Sequence, residues 1–184
     1  MNIQRAGRST QRGITTVEFA LVGSVLFVVL FGLIEFGRLM FTWNVLDEAT
    51  RRAARLAVVC PVTEAGRLFA QNEGAFKGTM LPNFTAANIA IRYLQEDGIT
   101  PATSTANTYY VRAEIVNKDN WQGFVDKSID DVYRHVFLVP MIGNFFDPDS
   151  DSDDWVPSPS FSTTLPAESL GVHPATAGDP PCGS

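Results

Sequence analysis

Few residues in this sequence have types and spacing suited to chemistry, and Gly13 and Glu18 stand out. They sit in Arg12-Gly13-Ile14-Thr15-Thr16-Val17-Glu18-Phe19, preceded by Arg5, Arg8 and Arg12 and followed by Phe19–Ile34, a run without charge. A carboxylate at the mouth of an apolar segment needs a physical reason. An interfacial carboxylate near a helix N-terminus, favoured by the helix dipole, is the plain one. Other candidates are thinner. The two histidines, His135 and His173, have no Cys or paired carboxylate at metal-ligand spacing. No Gly-rich phosphate loop, serine elbow or Cys/His nucleophile pattern occurs. An enzyme is therefore not expected, nor is a cofactor or a resident metal.

Asp147, Asp149, Asp151 and Asp153 alternate within Asp147-Pro148-Asp149-Ser150-Asp151-Ser152-Asp153-Asp154. Alternating carboxylates can offer oxygen ligands to calcium. No glycine stands at the sharp-turn position, however, and no glutamate closes a twelve-residue loop. The stretch reads as a solvated acidic loop, with weak calcium binding as the alternative.

The elements that must position these residues begin with the apolar run. Twelve of the sixteen residues in Phe19–Ile34 are Leu, Ile, Val or Phe. At roughly −0.3 to −0.6 kcal/mol each they favour membrane insertion by about 4–7 kcal/mol, against about 2.5–3.5 kcal/mol for a charge at mid-membrane. Glu18, Glu35 and Arg38 lie near the ends, where the cost is smaller. Sixteen residues rise about 24 Å, short of a core of about 30 Å, so the span extends to about 17–40. The three leader Arg favour a cytoplasmic N-terminus and an extracytoplasmic remainder. A cleaved signal peptide would share the basic leader and apolar run. But Glu35-Phe36-Gly37-Arg38-Leu39-Met40 holds no small-x-small cleavage site. An uncleaved signal anchor is the other plain reading, and it does not account for Glu18.

The chain has 184 residues and a net charge of −6, enough for one membrane segment and one small domain. Three of its 14 Lys and Arg fall in the first thirteen residues and none of its 20 acids do, so the remainder is near −9. Nucleic acid is excluded as a partner, since phosphate contacts need clustered Lys and Arg.

Arg12-Gly13-Ile14-Thr15-Thr16-Val17-Glu18-Phe19-Ala20-Leu21-Val22 resembles the TadE-like family of tight-adherence (Tad/Flp) pilus systems. So do Ile34-Glu35-Phe36-Gly37-Arg38-Leu39 and Ala49-Thr50-Arg51-Arg52-Ala53-Ala54-Arg55-Leu56-Ala57, with a weaker echo in Leu81–Ile89. The strong part covers about Arg12–Cys60. One departure is Gly23-Ser24, where many family members carry proline. The resemblance implies a prepilin-type cleavage site, cut between Gly13 and Ile14 by an aspartic prepilin peptidase of the inner membrane. Glycine suits such a site because a missing side chain lets a protease approach the backbone. Ile14 would then carry a positive amine, and Glu18, fifth in the processed chain, would neutralise such an amine as subunits pack. A matched pair relieves much of the cost of charge among apolar helices. Implied partners are other pilin subunits through the N-terminal helix, the peptidase, the inner-membrane pilus assembly platform and membrane lipid.

Past the membrane, Asp47–Arg51 and Glu48–Arg52 have favourable i,i+4 spacing. Ala49, Ala53 and Ala57 form a small-residue stripe for the soluble domain, and Arg51, Arg52 and Arg55 a solvated face. Pro61 stops the helix at Cys60. Thr63–Phe76 reads as a second helix. Asn88–Leu94 and Thr108–Val116 alternate as neighbouring antiparallel strands, with Ile89, Ile91, Tyr93 and Tyr109, Val111, Ala113, Ile115 facing inward. Phe124, Val125, Ile129, Val132 and Val136 suggest a short helix, and Pro157–Pro166 holds a candidate third strand. In an oxidising periplasm Cys60 and Cys182 either pair with each other, stay free thiols or bridge two chains.

The expected fold is α+β: a long, pilin-like N-terminal transmembrane helix continuing into a small domain whose few-stranded antiparallel sheet packs on the helix. The expected organisation is a leader (1–13), the long helix (14–60), an extracytoplasmic domain (61–166) and a C-terminal tail (167–184). The expected role is a minor pilin or pseudopilin in assembly or initiation of a Tad/Flp pilus or related secretion apparatus, single-pass in a bacterial inner membrane. A single-pass periplasmic binding or sensor module is the alternative.

Overall fold

No proline interrupts the chain from Ile14 to Val59, and the whole stretch forms one helix, α1, in the computed structural model. The structure describes residues 14–116, 132–139, 155–168, 170 and 182. Two compact units divide the chain, 1–38 and 39–184.

The described part of the first unit is the apolar half of α1. Phe19, Leu21, Val22 and Leu33 are exposed by 63–79%. Its apolar window has mean hydropathy 2.5 and none of it is buried, so the helix is long and apolar enough to cross a membrane. The helix runs through Gly23-Ser24 without a break, and Ser24 Oγ donates back to the Leu21 carbonyl at 2.8 Å.

The second unit is α+β. Its part of α1 buries Leu39, Thr42, Leu46, Ala49, Ala53 and Ala57, a stripe at three- and four-residue spacing. Helix α1 stops at Val59, ahead of Pro61. Helix α2 (Glu64–Gly74) starts at Thr63, whose hydroxyl accepts from the Gly66 N–H at 3.2 Å. It approaches α1 so closely that a Cβ on Gly74 would lie 2.6 Å from the Ala53 Cβ. Gln71 Nε2 donates to the Ile89 carbonyl at 2.6 Å, tying α2 to the sheet.

Three antiparallel strands follow in the order β1 (Ile89–Leu94), β2 (Tyr110–Ile115), β5 (Ser162–Pro166). Ile91 pairs with Ala113, and Ala113 with Thr163. The expected first two strands are neighbours as read, and β5 is the third. Val111, Ala113 and Ile115 enter the core with Ile89, Ile91, Phe84 and the alanines of α1. Thr50 Oγ1 donates to the Asp47 carbonyl at 2.8 Å and lies 3.0 Å from Thr163 Oγ1, so Thr163 is the donor that bolts β5 to α1.

Some local expectations are corrected. Tyr109 is 51% exposed because β2 begins one residue later. The opposite sheet face is not simply polar: Glu114 is 1% exposed, its carboxylate 2.6 Å from the Arg92 guanidinium. The helix expected over Phe124–Val136 falls mostly outside the described residues. Its described end is strand β3 (Arg134–Val136), paired antiparallel with β4 (Trp155–Pro157). Alternation wins there: His135 and Phe137 point inward while Arg134, Val136 and Leu138 point out. Most of the expected tail also lies outside the described residues.

The packing predicts that Gly74→Val forces α2 off Ala53 and costs about 1–3 kcal/mol. Denaturant unfolding of the detergent-solubilised chain, followed by tryptophan fluorescence, should show the lower midpoint. An unchanged midpoint would mean the contact yields freely.

Candidate functional site

Glu18 lies on α1, exposed and just ahead of the charge-free run that begins at Phe19. Gly13 lies outside the described residues, as do Asp147, Asp149, Asp151 and Asp153.

At the other end of the charge-free run, α1 carries a second charged feature. Glu35 is 2% exposed, and Arg38 Nη1 donates to both of its carboxylate oxygens at 2.9 and 2.8 Å. One nitrogen spans the carboxylate, without the parallel fork of two N–H groups. The pair is one helical step apart, i,i+3, and keeps a carboxylate at the edge of the apolar run neutralised. Its spacing is visible in the sequence; its burial is not.

Further along, the buried Thr42 Oγ1 and His135 Nδ1 share a hydrogen bond of 3.0 Å. The His135 ring also meets Phe137 edge-on, with centroids 5.6 Å apart. His135 is thus a packed histidine holding β3 against α1. The described residues contain no group of three metal-ligating side chains.

The basic face of α1 is exposed at Arg51, Arg52 and Arg55. Arg51 pairs with Asp47 at 2.9 Å as its spacing predicts. Arg52 instead reaches Glu73 at 2.9 Å, across to α2, and lies over the Phe76 ring at 5.4 Å. Glu73 also receives Lys77 at 3.0 Å. The Lys77 hydrogen bond, with Arg52 adding to it, holds Glu73 below the usual carboxylate range. A depressed carboxylate stabilises the fold above its unfolded pKa, and that contribution disappears as pH falls through the folded value. Asp97 behaves alike, lowered first by the Thr100 hydroxyl and then by the Ile99 and Thr100 N–H groups. Burial raises Tyr133, and raises Tyr93 against the opposing charge of Arg67.

Cys60 and Cys182 form a disulfide with Cα atoms 5.6 Å apart, across a sequence separation of 122. Closing so long a loop is worth roughly 4–5 kcal/mol in the chain-entropy account. An open groove of about 570 Å³ lies beside β1, lined in part by Glu64, Arg67, Arg92 and Tyr93. It brings together no nucleophile and base.

Residues 13–55 match the family model described as TadE-like protein. The match begins at Gly13 and covers Glu18, the Glu35–Arg38 pair and the first buried alanines. No curated protein and no solved structure matches the chain.

Removing Arg38 takes away the nitrogen that donates to both oxygens of the buried Glu35 carboxylate. Arg38→Ala is expected to lower stability in detergent by about 1–3 kcal/mol, and Arg38→Lys by less. Equal losses for the two variants, read from thermal unfolding, would show that the charge is immaterial.

Proposed function

We propose that this chain, TadE-like over residues 13–55, is a minor pilin or pseudopilin of a Tad/Flp pilus or a related secretion apparatus. The carrying observation is the family match itself, which begins at Gly13 and runs through the exposed, charge-free stretch of α1 that starts at Phe19. A leader ending at Gly13 would be removed by a prepilin peptidase of the inner membrane, and Ile14 would become the charged start of the helix.

Glu18 lies four residues, about 6 Å of helix rise, beyond that start. Ile14 through Phe41 would occupy the bilayer and its borders, with the N-terminus cytoplasmic and the domain periplasmic. In an assembling filament the exposed apolar side chains would pack on those of other pilin subunits, and Glu18 would neutralise an Ile14 amine. The acidic domain beyond Cys60 makes the chain bulkier than a filament built from helices alone requires, which favours a minor or initiating component. Nothing in the site geometry calls for catalysis.

Processing separates this reading from a plain membrane anchor. Co-expression with a Tad prepilin peptidase should shorten the chain so that its N-terminal residue is Ile14, and Gly13→Leu should abolish the cut. An N-terminal mass unchanged by the peptidase would overturn the reading.

A further inference from the structure

Leu170 and Cys182, from the last part of the sequence, both land on the C-terminal end of α1. The Leu170 N–H donates to the Val58 carbonyl at 3.0 Å, one of the helix-end carbonyls left without a partner inside the helix. Cys182 is joined to Cys60. Both contacts are interior. The Leu170 side chain belongs to the core cluster with Ala57 and Val58, and Cys60 and Cys182 are 0% and 6% exposed. Cys60 has little freedom to turn outward. Its N–H is bonded to the Leu56 carbonyl at 2.9 Å and Pro61 follows it. Helix α2 packs so tightly there that Gly66 leaves no room for a Cβ against the Pro61 carbonyl. Leu170 holds a left-handed φ of 43°, a costly conformation for leucine that persists only where its surroundings enforce it.

A disulfide is made and broken by a thiolate that attacks a sulfur, so the attacking group needs access to that sulfur. In the closed domain neither sulfur offers it. The barrier works in both directions. Two thiols at these positions are shut off from an external disulfide after closure, and the finished bond is shut off from an external thiol until the domain opens. An exposed bridge here would serve as a reversible switch; a buried one acts once.

We infer that Cys60–Cys182 is a one-way lock, closed by thiol–disulfide exchange while the chain is still open and shielded once Leu170 docks on Val58. The reaction that must precede closure is oxidation by a protein that carries a reactive disulfide. One cysteine thiolate of the chain attacks that disulfide, forms a mixed disulfide and expels one thiolate of the oxidant. The other cysteine then attacks the mixed disulfide, joins Cys60 to Cys182 and expels the second thiolate. Two electrons and two protons pass from the chain to the oxidant, which leaves as a dithiol. The folded domain then keeps its bond in a reducing medium.

The full chain in mild detergent is treated with dithiothreitol, with and without urea, and freed thiols are counted by mass after capture with maleimide. Native-state reduction should be roughly a hundredfold slower than reduction in urea, because the domain must first open locally. Equal rates in the two conditions would show that the sulfurs are reachable and would overturn the lock. So would two free thiols in the chain as isolated from an oxidising compartment. Refolding of the reduced chain with oxidised glutathione tests the order of events. The bond should appear no later than the native tryptophan fluorescence. Native fluorescence recovered ahead of the bond, followed by oxidation at the rate of the unfolded chain, would contradict that order.

Discussion

Close approach to a helix requires side chains that end at Cβ, and α1 supplies them at Ala49, Ala53, Ala54 and Ala57, all fully buried. The rest of the second unit depends on that. Helix α2 can lie against α1 because Gly74 meets Ala53 with no intervening side chain. The sheet can then lay Ile89, Ile91, Val111 and Ala113 on the same cluster. Larger residues in the stripe would hold both layers off and open voids that a small core tolerates poorly. The links around the cluster are polar and specific: Thr50 to Thr163, Gln71 to Ile89, Arg52 to Glu73. They fix register and orientation while the apolar cluster supplies most of the driving force.

The same helix obeys another rule in its first half. Between Phe19 and Ile34 apolar side chains occur on every face and all are exposed. A helix apolar all round has no solvated side to turn to water, so it needs lipid or other apolar helices. The ion pair Glu35–Arg38 falls where one rule gives way to the other. In the proposed role function lies in the helix itself: one end would be cut and charged and the middle held by lipid, while the far end carries a small disulfide-closed domain.

What could be read from the sequence was what is local. The apolar run, the Thr63 start of α2, the Pro61 stop and the alternation in β1, β2 and β5 all follow from patterns a few residues long. Asp47–Arg51 followed from spacing alone. What escaped depends on distant partners. Arg52 has Glu48 one turn before it, but folding brings Glu73 within reach and Arg52 goes there. Glu114 alternates like a solvent-facing residue, yet is buried beside Arg92. Strands β3 and β4 have three residues each and are far apart in sequence, too short for periodicity to show against the helical spacing of Val132 and Val136. His135 reads as a lone histidine in an apolar run; only the fold reveals its bond to Thr42, 93 residues away.

The central claim is that α1 changes its surroundings midway: apolar medium on all sides at first, a protein core on one side later. A nitroxide scan along α1 from residue 20 to residue 58, in the reconstituted full chain, tests it directly. Oxygen and a water-soluble nickel chelate would report accessibility at each position. The account predicts high oxygen and low nickel accessibility at every position through Ile34, without helical periodicity. Beyond Thr42 it predicts a helical rhythm, with immobilised labels at 46, 49, 53 and 57 and nickel-accessible labels at 51, 52 and 55. Nickel accessibility throughout the first half, or a buried stripe there like that of the second half, would contradict it.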